Sequence, residues 1–181
     1  MSYPSYEEWF DALPPRKKER ATRLAAAFRE FGAPDPESWA RSEISEDKPQ
    51  FARFLVLRSI WPDEIDRWAR EPDRWILKAV EEAAGRPNGL FADAGLAMAR
   101  MLDRGVSFTD IASVARLVAY STAFGVLQHI DEGCDEAVSD DAPGWCLVET
   151  SAKGRPTGRE IGGLHESILM MDPSGREGRP R

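Results

Sequence analysis

The segment 107–132 constrains the fold most, because it predicts one long helix in a chain of 181 residues. Ser107 followed by Asp110 resembles a capping box, with Asp in place of the usual Glu or Gln. Two sets of apolar or small side chains then follow at helical spacing: Ile111, Val114, Ala115, Val118, Thr122, Gly125 and Val126, and Leu117, Tyr120, Phe124 and Leu127. A helix that is apolar nearly all round is usually central and buried. We therefore expect this helix to be the hub of the core.

The rest of the chain predicts a mainly α fold, an irregular bundle of about six to seven helices around the long helix. Pro, Gly and capping residues bound the other predicted helices, which span 5–13, 15–31, 36–42, 50–60, 63–70, 73–84 and 90–102. The apolar run 50–60 suits a helix or a buried strand, and its helical neighbours favour a helix.

The C-terminal part has a different texture. Segment 144–164 predicts a small β-hairpin, because two β-like runs flank a turn-like one. The tail 165–181 is expected to pack on the helical body 1–132, with helix and strand both open for 165–171. The length suits a single domain over 1–181.

Charge and composition argue against several classes of function. With 31 acidic residues against 24 Lys and Arg, the net charge of −7 disfavours broad binding to nucleic acid or to anionic membranes. The most apolar window, 111–130, contains Arg116, Gln128 and His129, so we expect no membrane span. The N-terminus lacks a signal-peptide pattern. We expect a cytoplasmic protein of bacterial type with its two cysteines reduced.

No nucleotide-binding, metalloprotease or hydrolase motif occurs in the sequence. The histidines and cysteines, His129, Cys134, Cys146 and His165, have the ligand types that zinc accepts. Their spacing, H-x4-C-x11-C-x18-H, fits no common zinc pattern. We therefore expect no bound metal and no cofactor.

Arg116 is the single formal charge between Ile111 and His129 on the long helix. A buried Arg must be paired or line a wet cavity. It is therefore either a ligand-binding residue, with Tyr120 one turn away, or half of a structural ion pair. The ion pair is the commoner cause of such a feature, and we favour it.

The C-terminal stretch supplies further candidate ligand-binding residues in His165, Glu166 and Arg176. A His near a carboxylate suits acid–base chemistry, and an Arg suits anion binding. Neighbours on a strand point to opposite faces, which argues against joint action of His165 and Glu166 there. The run 172–175 is a competent type I turn, and a packed tail is the simpler interpretation.

Trp61, Trp68 and Trp75 recur every seven residues, but Pro62 and Pro72 interrupt any continuous helix between them. Packing in the core is the default role of such tryptophans. Exposed, they would form a protein-binding patch, because Trp and Arg are enriched in binding hot spots.

These observations favour a non-enzymatic protein that binds another protein. One form is an acidic, immunity-like or antitoxin-like neutraliser of a basic partner. The acid-only segment 131–141 would steer that partner through Asp135, Glu136, Asp140 and Asp141. The alternative is an enzyme or small-ligand binder with a pocket between the long helix and the hairpin, using Arg116, Tyr120, His165 and Glu166. The oligomeric state is not predicted.

Overall fold

The computed structural model describes residues 4–135, 137, 139 and 141–179, and its fold is mainly α with 63% of residues in helices. The described residues form eight α-helices: α1 (Tyr6–Asp11), α2 (Pro15–Glu30), α3 (Pro36–Glu46), α4 (Gln50–Leu57), α5 (Pro72–Gly85), α6 (Ala92–Asp103), α7 (Phe108–Glu132) and α8 (Leu164–Ser167). A two-stranded antiparallel hairpin, β1 (Leu147–Thr150) and β2 (Pro156–Ile161), precedes α8. The mainly α prediction, the long helix and the C-terminal hairpin are confirmed.

Local sequence signals explain several helix boundaries. Ser5 accepts a hydrogen bond from the Glu8 backbone N–H while the Glu8 carboxylate accepts one from the Ser5 N–H, which completes a capping box at α1. Ser107 Oγ accepts from the Asp110 N–H at 3.1 Å and donates to Asp110 Oδ2 at 2.7 Å at the start of α7. The apolar run 50–60 is helical over Gln50–Leu57, because Phe54 and Leu57 face the interior at helical spacing.

The described residues divide into two compact units, one formed by 1–61 with 124–181 and the other by Pro62–Ala123. We call them unit 1 and unit 2. Helix α7 begins in unit 2 and ends in unit 1. A single domain over 1–181 stays a prediction.

Unit 1 is built on an aromatic core. Phe28 of α2 stacks on Trp39 of α3 at 5.7 Å and meets Phe51 and Phe54 of α4 edge-on at 5.2 and 5.5 Å. Met171, from the 3₁₀ turn Leu169–Met171, packs against this cluster. The tail therefore contacts the helical core of its own unit.

Unit 2 has a thin core. Its helices α5 and α6 pack closely where Gly95 faces Ala83, and its fully buried large side chains are Ile65 and Ile76. Nine of the fifteen exposed large apolar side chains among the described residues lie in this unit, which holds about a third of the chain: Leu77, Leu90, Phe91, Leu96, Met101, Val106, Val114, Leu117 and Val118. Unit 2 therefore carries more of the exposed apolar side chains than its length alone would give.

The expectation that α7 is a buried hub was wrong. Ile111, Ala112 and Leu127 are buried, but Val114, Leu117 and Val118 are 58–63% exposed. A helix with apolar side chains on all sides can be buried on all sides, but α7 is buried on one side only.

Helix α7 is long and apolar enough to cross a membrane, and no other helix of the described residues is. Only 17% of its most apolar stretch of 18 residues is buried. Its polar side chains Arg116, Gln128 and His129 argue against a membrane span, whereas its length, mean hydropathy and low number of charged side chains allow one.

The segment 63–70 is not the α-helix that we expect from sequence. It forms a π-helical turn, Trp61–Ile65, followed by a 3₁₀ turn, Asp66–Ala69. Pro62 has no backbone N–H, so it cannot donate one of the hydrogen bonds that a regular α-helix would form at the start of this segment. Glu71 then adopts a left-handed conformation with φ of 44°, which ends the segment before Pro72 begins α5.

Candidate functional site

The exposed face of α7 is the first candidate site. Exposed residues without charge recur along it with helical spacing in unit 2, and we call this set the α7 stripe: Val114, Leu117, Val118, Ser121 and Thr122. Arg116 lies on the opposite side of the helix, at 3.6 residues per turn. The stripe is therefore an uncharged surface about 12 Å long, at 1.5 Å per residue.

Arg116 forms an ion pair. Its Nε donates to Asp66 Oδ1 at 2.7 Å, and both side chains are partly buried. Arg116 is therefore half of an ion pair, which is the role that we favour from the sequence. Partial burial raises the pKa of the Tyr120 phenol. Both residues belong to unit 2, whereas His165, Glu166 and Arg176 belong to unit 1.

His165 is paired with Asp131, a residue that sequence reasoning did not connect to it. Asp131 Oδ2 lies 2.7 Å from His165 Nδ1 and accepts from the His165 backbone N–H at 3.0 Å. The ring meets Phe124 edge-on at 5.4 Å. Asp131 can thus fix the orientation of the imidazole.

Arg53 joins helix α4 to the C-terminal segment. Its Nη2 donates to the carbonyl of Gly163 and to Ser167 Oγ, and its Nη1 donates more weakly to Gln50. Burial lowers the pKa of the Arg53 guanidinium, which nearby Glu166 opposes. Gly163 has a φ of +67°, a conformation that glycine adopts without the strain that a side chain would bring.

A cleft of about 380 Å³ opens beside this arginine. Its charged lining residues are Lys48, Arg53, Glu160 and Glu166, two cations against two carboxylates. This balance selects neither an anion nor a cation, and Arg53 already has three hydrogen-bond partners. We therefore assign Arg53 to structure rather than to ligand binding.

The run 172–175 forms the turn that the sequence predicts. The Gly175 N–H donates to the Asp172 carbonyl at 2.9 Å, and the buried Asp172 carboxylate accepts from Ser174 and from the Gly178 N–H. Arg176 follows the turn and is half-buried. The Asp172 carboxylate thus organises the tail internally.

Two of the three tryptophans line a second cleft, in unit 2. Trp61 is buried in unit 1, as the default interpretation expects, whereas Trp68 and Trp75 are half-buried. We call the second cleft the tryptophan–arginine cleft; its volume is about 210 Å³ and its lining includes Arg67, Trp68, Arg70, Arg74, Trp75 and Lys78. The signal was present in the sequence, because these bases recur every three or four residues beside tryptophans seven apart.

The acidic segment is described in part. Asp135 and Asp141 are exposed; Asp135 Oδ1 accepts from the Ala137 N–H, and the Asp141 N–H donates to Ser139 Oγ. Glu136 and Asp140 lie outside the described residues. Its steering role stays a prediction.

Both cysteines are exposed free thiols. The described part of the chain contains no group of three or more His, Cys, Asp or Glu side chains placed to hold a metal ion. His129 instead packs its ring on Trp145 at 4.8 Å. His129, Cys134, Cys146 and His165 therefore do not form a group of three or more possible metal ligands among the described residues.

Comparison with known proteins gives this chain no relative from which a function could be transferred. No family model, curated protein or solved structure matches it.

Proposed function

We propose that this chain is a non-enzymatic protein-binding protein that docks on its partner through the α7 stripe. The observation that carries the proposal is the exposure of Val114, Leu117 and Val118, each more than half open to solvent on one uncharged face. Burying such side chains against a partner gains about 25 cal/mol per Å² of apolar surface. Exposed apolar side chains gathered on one face of a helix are typical of an interaction surface.

Because the stripe carries no charge, we expect the surface of the partner that docks on it to be apolar. A charged surface would lose its hydration against the stripe and gain no ion pair in return. The complementary surface is therefore an apolar groove or the apolar face of another helix. Ser121 adds little side-chain bulk to the stripe, so a partner helix can approach closely there.

Val118→Asp tests the proposal. We expect the free energy of unfolding to change by less than about 0.5 kcal/mol, because Val118 is exposed and Val and Asp have similar helix propensities. We expect partner capture to be lost, because docking would bury the new carboxylate without a counter-ion. The measurements are thermal melting by circular dichroism and quantitative capture from the native host.

The matched control is Ser113→Asp, which adds the same charge at an exposed position of α7 outside the stripe. Proteins captured by the wild type and by the control, but not by Val118→Asp, support docking through the stripe. Equal capture by all three forms contradicts it. A Val118→Asp variant that is unfolded would show that this face is buried within the protein itself.

The charge of the partner is a separate part of the proposal. If the partner is basic, we expect Asp135→Asn with Asp141→Asn to slow its association and flatten the salt dependence, because exposed charges mainly set the on-rate. Stability is expected to stay within about 0.5 kcal/mol. Stopped-flow association at several salt concentrations measures both effects. An on-rate indifferent to the substitutions and to salt would exclude steering by the acidic segment.

A further inference from the structure

The tryptophan–arginine cleft has a rigid aromatic floor. Trp68 and Trp75 meet edge-on with ring centroids 5.2 Å apart and planes 82° apart. The indole N–H of Trp75 donates to the Trp68 carbonyl at 3.1 Å, which fixes one ring against the turn that carries the other. Such aromatic surfaces bind apolar groups at a low entropic cost, because little side-chain freedom remains to be lost.

Cations surround this floor. Arg67 lies over the Trp68 ring at 5.2 Å, and Arg74 and Lys78 project from the same face of α5 with side chains 82% and 72% exposed. Arg70 donates to the carbonyl of Pro62. The lining holds these four cations and one carboxylate, Glu71, although the whole chain is acidic.

The ion pairs that these cations already form are weak, so they compete poorly with a carboxylate of a ligand. Arg74 pairs with Glu71 at 3.0 Å, Arg67 with Glu64 at 3.6 Å and Lys78 with Glu82 at 3.7 Å. All of these side chains are more than half exposed, and exposed pairs contribute at most about 1 kcal/mol. An incoming carboxylate that also covers the indoles can therefore displace them.

The size of the cleft selects the occupant. Pockets for drug-sized ligands have volumes of about 300–1,000 Å³, whereas this cleft has about 210 Å³. It has room for one or two side chains of a larger molecule. We infer that the cleft binds an acidic peptide segment, with an aromatic or aliphatic side chain against the indoles and flanking carboxylates on Arg74 and Lys78.

Charge favours an acidic peptide over single-stranded nucleic acid. Bases also stack on aromatic side chains beside cations. A nucleic acid strand, however, carries a negative charge on every nucleotide along its whole length, and it would meet the net negative charge of the chain beyond the cleft. A peptide with a few carboxylates confines its charge to the cleft. This inference does not depend on the α7 stripe, because it uses a different surface of the protein.

The probe is a fluorescein-labelled pentapeptide of four glutamates around a central phenylalanine, titrated with the full chain and followed by fluorescence polarisation. We expect saturable binding that weakens at least tenfold when glutamines replace the glutamates. Arg74→Glu is expected to weaken binding at least tenfold, and Lys78→Glu repeats the test at a second exposed position.

Arg23→Glu is the matched control, because it makes the same charge change at an exposed arginine of α2. It is expected to leave the affinity within twofold of wild type. Equal losses in Arg23→Glu and Arg74→Glu would reduce the effect to overall charge and overturn the inference. Tighter binding of a ten-nucleotide oligothymidine than of the acidic peptide would also overturn it, as would no binding of the peptide.

The Val118→Asp variant separates the two proposals. It is expected to bind the acidic peptide as the wild type does, even where its capture of the partner is lost. Loss of peptide binding in this variant would contradict an independent cleft.

Discussion

Glu43→Ala is expected to lower the free energy of unfolding by about 3 kcal/mol, since removing one member of a buried ion pair leaves the others uncompensated. Glu43 is 3% exposed in α3. Its carboxylate accepts from the Phe51 N–H at 2.8 Å, from Arg20 at 3.0 Å and from Arg159 of β2 at 3.4 Å. Arg159 also reaches Glu149 of β1 at 3.3 Å, so one carboxylate joins three helices of unit 1 to its hairpin. The effect lies at the low end of the range for buried pairs, because both arginines are partly exposed.

Glu37→Ala is the matched control for this prediction. Glu37 lies on the same helix and is paired with Arg29, but this pair is exposed. Exposed pairs contribute about 0–1 kcal/mol. Urea denaturation followed by circular dichroism compares the two variants. If both variants lose similar free energy of unfolding, the buried carboxylate of Glu43 stabilises unit 1 no more than an exposed ion pair does.

Gly95→Ala is expected to destabilise the protein by about 2 kcal/mol, although alanine is the better helix former by about 1 kcal/mol. A Cβ at Gly95 would lie 2.4 Å from the Ala79 carbonyl oxygen and 2.6 Å from the Ala83 Cβ. The nearest obstacle is backbone, which cannot turn aside as a flexible side chain can. Helices α5 and α6 must therefore separate, and overpacking of this kind costs about 1–3 kcal/mol.

Gly125→Ala makes the same substitution without an obstacle. A Cβ at Gly125 meets no described atom within 4 Å, and the residue lies in the interior of α7. We expect a gain of about 1 kcal/mol from helix propensity alone. Thermal melting and urea denaturation measure the change in stability of both variants. A loss in Gly95→Ala beside a gain in Gly125→Ala separates the cost of close helix packing from the gain in helix propensity. A gain in both variants would contradict the close approach of α5 and α6.

Local signals account for most of what the sequence predicts correctly about the fold. Capping residues, prolines and apolar spacing place the helices to within a few residues, and the β-like texture after 144 places the hairpin. Those signals act within a few residues of one another. Whether a predicted face is covered depends on distant parts of the chain, which explains why α7 is correctly predicted as a helix and wrongly predicted as buried.

The candidate sites divide in the same way. The spacing of Trp68 and Trp75 and the turn at Asp172 are local patterns, and the structure has both features. Three of the contacts join distant residues: His165 with Asp131, Arg53 with Gly163 and Glu43 with Arg159 are 34 to 116 residues apart in sequence. Nothing local to an Arg or a His identifies such a partner. The sequence likewise predicts that Arg116 forms an ion pair, but it does not identify Asp66 as the partner.

The long sequence separation of the contacts in unit 1 also determines when the protein can fold as it is synthesised. Glu43 and Arg53 find their partners at Arg159 and Gly163, more than a hundred residues later. At about 5–20 residues per second, the ribosome takes several seconds to deliver them. Unit 2 is one uninterrupted stretch and is complete at Ala123. Unit 2, the middle third of the chain, can thus adopt its structure while Glu43 and Arg53 still lack these partners.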